Sequence, residues 1–389
     1  MADLFSSPML ALAPMFDAET WGRVPFHFWT IVFFVFGSIV GSFLNVCIYR
    51  IPIGQSIVSP PSHCPHCNYS IPWYLNIPLV TWLYLRGRCA NCHAPISVRY
   101  FLVELLTGLL FMGCWLHFGS ISAWLAIVYC VVVGGLVVAA FIDMEHFFIP
   151  DGLTIGGIVI GFVCSFFVPC TQSIFPSMKR VTIPQAALVD SFWGAAVGAL
   201  VIYIIVRVGK FFLGRKKIEI GLDSKIIFSE TGFKLPDGFV EYGEVFYRKT
   251  DAIKLHAKRL ELIDRCYVDV DVELQPERLR IGTEELNPEK VLHMEVITDG
   301  IVVPREAMGL GDVKFMAAIG AFLGWPAVAF TLAVSAFLGS VVGVTMILMK
   351  KKERSSQIPY GPYIAMAAII WLFGGREWMR YWLLGLWGQ

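Results

Sequence analysis

Two acidic residues stand where apolar runs end or begin. Asp143 closes one run in Phe141-Ile-Asp-Met-Glu-His-Phe-Phe-Ile-Pro-Asp151, and Asp312 opens another in Gly309-Leu-Gly-Asp-Val-Lys314. Acids beside apolar spans are costly and tend to mark function. Two carboxylates on different helices, brought together, suit an aspartic peptidase. One must be ionised to activate water, and the other protonated to polarise the scissile carbonyl. Proximity enforces that split, because two close carboxylates resist double ionisation. Gly309 and Gly311 would let a peptide backbone approach Asp312. The plainer reading makes these acids helix caps or interfacial residues, and for Asp151, at the head of an apolar run, the cap reading leads. Glu145 and His146 read as loop residues.

Four of the ten cysteines form two matched pairs, Cys64-Pro-His-Cys67 and Cys89-Ala-Asn-Cys92, with 21 residues between them. Four thiolates at this spacing suit a tetrahedral Zn²⁺ site of the ribbon kind. Each pair predicts a knuckle whose backbone N–H groups face the sulfurs. A reactive dithiol is the rival, and two matched pairs count against it. A closed four-sulfur site has no open position for catalysis. His63, His66 and His93 read as ordinary loop histidines. Cys47, Cys114, Cys130 and Cys164 lie in apolar runs, as free thiols often do. Cys170 and Cys266 lie outside the runs.

These groups must be positioned by a membrane body. Of 389 residues, 56% are hydrophobic and 16% charged, against roughly a quarter charged in soluble domains. Apolar runs fall near 28–48, 101–118, 122–142, 153–169, 191–213, 313–325, 326–349 and 359–374. They predict an all-α polytopic protein of about eight transmembrane helices. Pro326 separates the sixth run from the seventh. The aromatic segment from Trp378 suits the interface. No basic leader precedes the first run, so an N-terminal extension, 1–27, is expected ahead of a retained span. The net charge of +1 makes no case for nucleic acid, and none is expected as a partner.

Basic residues set the orientation. The loop 49–100 carries Arg50, Arg86, Arg88 and Arg99 and no acid, which places it and its cysteines in the cytoplasm. Counting spans through 101–214 returns Asp143 to that face and delivers Arg215, Lys216 and Lys217 there. Lys350, Lys351 and Lys352 belong to it too.

One segment is foreign to the bilayer. Residues 215–304 hold 14 Lys/Arg and 18 Asp/Glu, 32 of the chain's 61 charged residues. Alternation in Tyr267-Val-Asp-Val-Asp-Val-Glu-Leu274 and Lys225-Ile-Ile-Phe228 predicts strands, and residues 251–265 look helical by period. A small cytoplasmic β-rich domain is expected here, inserted between the spans and the closing membrane segment 305–389.

With these motifs in order, the chain resembles the bacterial prepilin peptidases. The resemblance runs from Gly41-Ser-Phe-Leu-Asn-Val-Cys-Ile-Tyr-Arg50 through the paired cysteines with Asn76-Ile-Pro-Leu79, Arg86-Gly-Arg-Cys89 and Ile96-Ser-Val-Arg-Tyr-Phe-Leu-Val-Glu104. It continues through Asp143, Ile149-Pro-Asp151 and Gly309-Leu-Gly-Asp-Val-Lys314 to Ile358-Pro-Tyr-Gly-Pro362. It implies an aspartic endopeptidase of the bacterial inner membrane with Asp143 and Asp312 as its catalytic pair. Gly309, Gly311, Lys314 and Asp151 would support that motif, and Cys64, Cys67, Cys89 and Cys92 would hold zinc. Such enzymes cut the leader from type IV prepilins or type II secretion pseudopilins on the cytoplasmic side, and many methylate the new N-terminus with S-adenosylmethionine. Substrates and lipid are the partners expected. The insertion departs from the family pattern. No glycine-rich loop on a strand offers a soluble-enzyme site for the methyl donor. Rival readings are a catalytically inactive pilin-binding assembly factor and a proton-coupled transporter using the same aspartates. Acids at span ends, away from mid-bilayer, count against the transporter.

Overall fold

The computed structural model describes residues 26–168, 184–213, 215–235, 238–246, 251–288, 291, 293–304, 309–349, 359–379 and 381. Lys350–Lys352, Cys170, Ile358, residues 1–25 of the N-terminal extension and most of the aromatic tail lie outside them. The chain divides into two compact units, one from 1–202 with 310–389 and one from 203–309.

The first unit is helical. Its elements are α1 (Phe26–Arg50), the short α2 (Val80–Tyr84), α3 (Val98–Phe118), α4 (Ala123–His146), α5 (Asp151–Phe167) and most of α6 (Pro184–Leu213). Among the described residues five helices are long and apolar enough to cross a membrane, including α1, α3, α4 and α6, whereas α5 is shorter. The chain is a multi-pass helical membrane protein. Seven of the eight expected runs are single helices. The last, 359–374, is a helix that passes into a π turn, described below.

Helix ends follow local chemistry. Ser97 caps α3, its hydroxyl accepting the Arg99 N–H. The α4 helix stops at Phe147, a left-handed residue at φ 57° whose N–H returns to the Asp143 carbonyl. A bulky residue there is strained, and Pro150 then opens α5. Glu145 and His146 are therefore helical, not loop, because the αL turn arrives after them.

After the second unit come α8 (Leu310–Leu323), α9 (Trp325–Leu348) and α10 (Gly361–Ile370), the last continuing into a π turn at Trp371–Gly375. Pro326 does mark a break: Gly324 at φ 79° separates α8 from α9. Buried residues cover α8 from Phe315 to Leu323 without a gap. It packs on α5, where Gly157 and Gly161 face Ala318 and Ala321. On another side Gly194 and Gly198 of α6 meet Gly320 and Met316, and the Ser191 hydroxyl bonds the Ala321 carbonyl at 2.7 Å. In lipid, helices associate through such small-residue contacts.

The second unit holds an eight-stranded antiparallel sheet. Its strands are β1 (Arg215–Phe228), β2 (Gly232–Leu235), β3 (Gly238–Glu241), β4 (Ile253–Leu262), β5 (Cys266–Gln275), β6 (Arg278–Ile281), β7 (Glu284–Leu286) and β8 (Met294–Pro304), with a short helix α7 (Tyr242–Val245) after β3. The strand order is β3-β2-β1-β8-β4-β5-β6-β7. One face buries Ile226, Phe233, Ile253, Leu260, Val296 and Ile301. The other carries cross-strand ion pairs, such as Lys254 with Glu273 at 3.0 Å. The strands expected at 225–228 and 267–274 lie within β1 and β5. The helix expected over 251–265 is instead β4. Its buried residues alternate at Ile253, Leu255 and Ala257, then slip phase to Leu260. That slip places buried residues at 253, 257 and 260, which imitates helical spacing.

The crowding around α8 predicts a stability effect. A Cβ at Gly320 would overlap the Gly194 carbonyl oxygen. Gly320→Val should cost about 3 kcal/mol or more, by analogy with overpacked cores. Lower thermal stability in detergent checks this, and an unchanged midpoint would refute the close α6–α8 contact.

Candidate active site

Asp143 lies in the last turn of α4 and Asp312 in the first turn of α8, and both are buried, at 5% and 8% exposure. The two helices reach a common segment, Tyr360-Gly361. The Gly361 N–H donates to Asp143 Oδ2 at 2.8 Å. A Cβ at 361 would sit 2.8 Å from that oxygen, so only glycine lets the backbone this close. The neighbouring Tyr360 hydroxyl lies within electrostatic reach of Asp312 and exchanges a hydrogen bond with Ser335 of α9 at 2.9 Å. This dipeptide thus touches Asp143 through its glycine and α9 through its tyrosine. Gly361 and Tyr360 were visible only as parts of a motif. Sequence alone gives no reason to expect their contacts.

The supporting residues separate. Lys314 donates to Asp151 Oδ1 at 2.6 Å, an exposed ion pair tying α8 to α5. Asp151 is the first helical residue of α5, and the cap position belongs to Pro150. The cap expected at Asp151 is absent because proline holds the extended conformation one residue earlier. Gly311 packs on the backbone of Ile149, its Cβ position 3.5 Å from that nitrogen. Gly309 is exposed at the start of the motif. Glu145 pairs with Arg99, joining the end of α4 to the start of α3. A fixed cation at Arg99 was the available signal for that contact.

The cysteine loop forms two near-identical turns. Asn68 N–H bonds the Cys64 carbonyl at 2.9 Å, and His93 N–H bonds that of Cys89 at 3.1 Å. Asn68 and His93, each following a second cysteine, adopt φ of 55° and 59°. These types tolerate that region best after glycine. The four sulfurs lie within 4.8 Å of one another. Cys64–Cys92 is 3.8 Å and Cys67–Cys89 4.0 Å. A tetrahedron with metal–sulfur bonds of about 2.3 Å has edges of about 3.8 Å, so the residues fit a metal ion. Backbone N–H groups of Cys92 and Asn91 hold the Cys89 thiol down to about 6. The Tyr69 N–H, aided by the Asn91 amide, lowers Cys67. These donors favour thiolates at Cys67 and Cys89, the form a metal takes, while burial and the crowded sulfurs push Cys92 up to about 12, as four thiols sharing one site without a cation must. His63, His66 and His93 stand outside the sulfur group.

The loop is anchored on the helices. Arg50 bonds the carbonyls of Ser56 and Pro60 at 3.0 and 2.8 Å. Asn45 donates to the Tyr100 carbonyl at 3.0 Å, and Glu104 accepts the Leu79 N–H at 2.8 Å. Polar residues inside apolar runs were the signal for the last two.

A helical membrane body that buries one aspartate at each of two helix ends, together with a four-cysteine loop, defines a class of membrane protein with paired acids at its helix ends. Comparison with known proteins narrows it. Residues 35–118 match the Bacterial Peptidase A24 N-terminal domain, and residues 130–222 and 291–344 match the Type IV leader peptidase family. A relative from Escherichia coli O78:H11, named type 4 prepilin-like proteins leader peptide-processing enzyme, is 34% identical over 50% of this chain and 73% of its own length. Prepilin leader peptidase/N-methyltransferase from Myxococcus xanthus is 42% identical over 49% of this chain and 52% of that one. The protein of the same name from Aeromonas hydrophila is 27% identical over 92% and 95%. No solved structure matches. The chain belongs to the type IV leader peptidase family.

The sulfur geometry predicts about one equivalent of a thiolate-binding metal per chain, measured by elemental analysis of purified protein. Replacing Cys64 and Cys67 together by serine should remove it, since three or four thiolates make the site. A metal-free wild-type protein isolated without chelator would overturn the assignment.

Proposed function

We propose that this chain is a membrane-embedded aspartic endopeptidase that removes the leader from type IV prepilins or related pseudopilins, with Asp143 and Asp312 as its catalytic pair. The burial of both acids at facing helix ends, with the Gly361 N–H on Asp143, carries the assignment of the pair. Family membership supports the reaction class, and relatives named prepilin leader peptidase support the substrate. In the mechanism, one ionised aspartate takes a proton from water as it attacks the scissile carbonyl. The other, protonated, polarises the carbonyl and later protonates the leaving nitrogen. The Gly361 N–H orients the Asp143 carboxyl for its part.

The reaction is placed on the cytoplasmic side of the bacterial inner membrane, with about eight crossings. The acid-free basic loop 49–100 supports that orientation. The four cysteines hold structural Zn²⁺, with Cys64, Cys67, Cys89 and Cys92 as ligands, and the ion's role is to fold the loop against the helices. Relatives named N-methyltransferase support methylation of the new N-terminus, with S-adenosylmethionine as the methyl donor. Residues 215–304 act as a separate cytoplasmic domain that contributes no catalytic group.

Incubating the reconstituted full chain with a candidate prepilin and weighing the product tests the reading, because one spectrum reports leader loss and any added methyl. Asp143→Asn and Asp312→Asn should each cut cleavage by about 10²–10⁴-fold or more, the range for a lost acid–base group. Asp151→Asn should stay within about fivefold, since an exposed ion pair is worth roughly 0–1 kcal/mol. Full activity in either of the first two variants would refute the pair. Replacing 215–304 by a Gly/Ser linker should leave cleavage of a generic prepilin measurable. If that variant retains its metal and membrane insertion yet cuts nothing, the domain is essential.

A further inference from the structure

A second buried acid lies outside the aspartate pair. Glu104 of α3 is 8% exposed, within one of the membrane-capable helices. It accepts the Leu79 N–H on Oε2, and the Ser42 hydroxyl is near enough to favour its charged form. Among the described residues no lysine, arginine or histidine pairs with it. One turn along the α1–α3 interface, opposite Tyr100, lies Asn45, 2% exposed. The Asn45 Nδ2 is taken by the Tyr100 carbonyl, but its Oδ1 is buried with no hydrogen-bond partner.

These groups form one cluster. Ser42 and Asn45 are three residues apart on α1, and Tyr100 and Glu104 four apart on α3, so each pair shares a helix face. Gly41 brings the helices into contact there, its Cβ position 2.8 Å from the Glu104 Cα. A buried carboxylate without a cation and a buried amide oxygen without a donor are both costly. Their needs are the same: a cationic group with several N–H donors. A primary ammonium supplies that, with three donors and one positive charge.

The cluster stands at the level of Asp143. Val103 and Ile142, the residues before Glu104 and Asp143, belong to one buried group with Leu44 and Ile48. Arg99, five residues before Glu104, pairs with Glu145, two residues after Asp143. Peptide hydrolysis beside Asp143 would release a new α-amine at this same end of the helices.

We propose that Glu104 and Asn45 form a receptor for the α-ammonium of the newly freed N-terminus, the carboxylate supplying the charge and Asn45 Oδ1 a second acceptor. This rests on the peptidase reading, because only cleavage creates that amine. The site holds the processed chain after the leader departs, where its amine is available for modification. An amino-acid methyl donor carries the same ammonium chemistry, and the test separates the two sources.

The probe is a leaderless peptide with a mature prepilin N-terminus, made with a free amine or acetylated, and bound to the full chain in lipid nanodiscs. Since it has no leader, its binding reads the site whether or not the aspartates cleave. Wild type should bind the free amine about tenfold more tightly, and Glu104→Gln should abolish the preference while leaving metal content and thermal midpoint unchanged. Should the glutamine variant lose its metal, Glu104→Asp keeps the charge, retracts it by one methylene, and should reduce the preference about threefold. Equal binding of both peptides by wild type, binding of neither, or a preference that survives Glu104→Gln would overturn the proposal. So would a tenfold loss of S-adenosylmethionine binding in Glu104→Gln with the peptide preference intact, which would give the site to the donor's ammonium.

Discussion

The hydrogen bond from the Gly361 backbone to Asp143 Oδ2 constrains much of the helical unit. It requires a residue without Cβ, a helix that begins at that residue, and a carboxylate held in the last turn of α4. Tyr360 then has its place set: its ring lies 3.6 Å from the Cβ position of Gly339, and its hydroxyl meets Ser335, both on α9. So α4, α9 and α10 are tied at one point. A buried carboxylate needs donors whose positions do not fluctuate, and a backbone N–H at a helix start is such a donor.

Asp312 is held by different means. Its helix is covered over Phe315 to Leu323, and glycines on α5 and α6 let neighbouring backbones come close. Hydrophobic burial gives no preference between helix and lipid, so close packing of small residues must supply the attraction. The result is a helix that cannot roll without its Gly320 meeting the Gly194 carbonyl or its Met316 carbonyl meeting Gly198, both on α6. A side chain in its first turn inherits that rigidity, which is what a paired acid and base demand.

What the sequence could reveal follows from the range of each interaction. The cysteine pairs were legible because each knuckle is a local turn, and its left-handed residues, Asn68 and His93, are types that tolerate the conformation. The helix break before Pro326 was legible for the same reason. Glu145 was misread as loop because the left-handed stop that ends its helix comes only at Phe147, a residue type that gives no sign of it. The strand at Ile253–Leu262 was misread because a phase slip gave its buried residues a helical interval. Asp151 was misread by one position, since a proline ahead of an acid competes for the start of the helix. The contact of Gly361 with Asp143 spans 218 residues and could not be read from spacing at all.

The cysteine loop and the helices depend on each other through a few polar side chains in apolar runs. Arg50 at the end of α1 holds the loop's first turns by two carbonyls, and Glu104 holds Leu79, which leads into α2. Leu79 sits at φ 62°, a strained conformation for a branched side chain, and the carboxylate on its N–H helps to hold it there. A hydrophobic residue at 104 would pack as well among its neighbours but would release that backbone. Glu104 can therefore serve the loop through Oε2 and still present Oε1, so one buried acid anchors structure and remains able to bind. The polar groups of this body concentrate at the end where Asp143 lies, with Arg99, Glu104 and Glu145 around it. The apolar remainder of each helix serves to hold that end still.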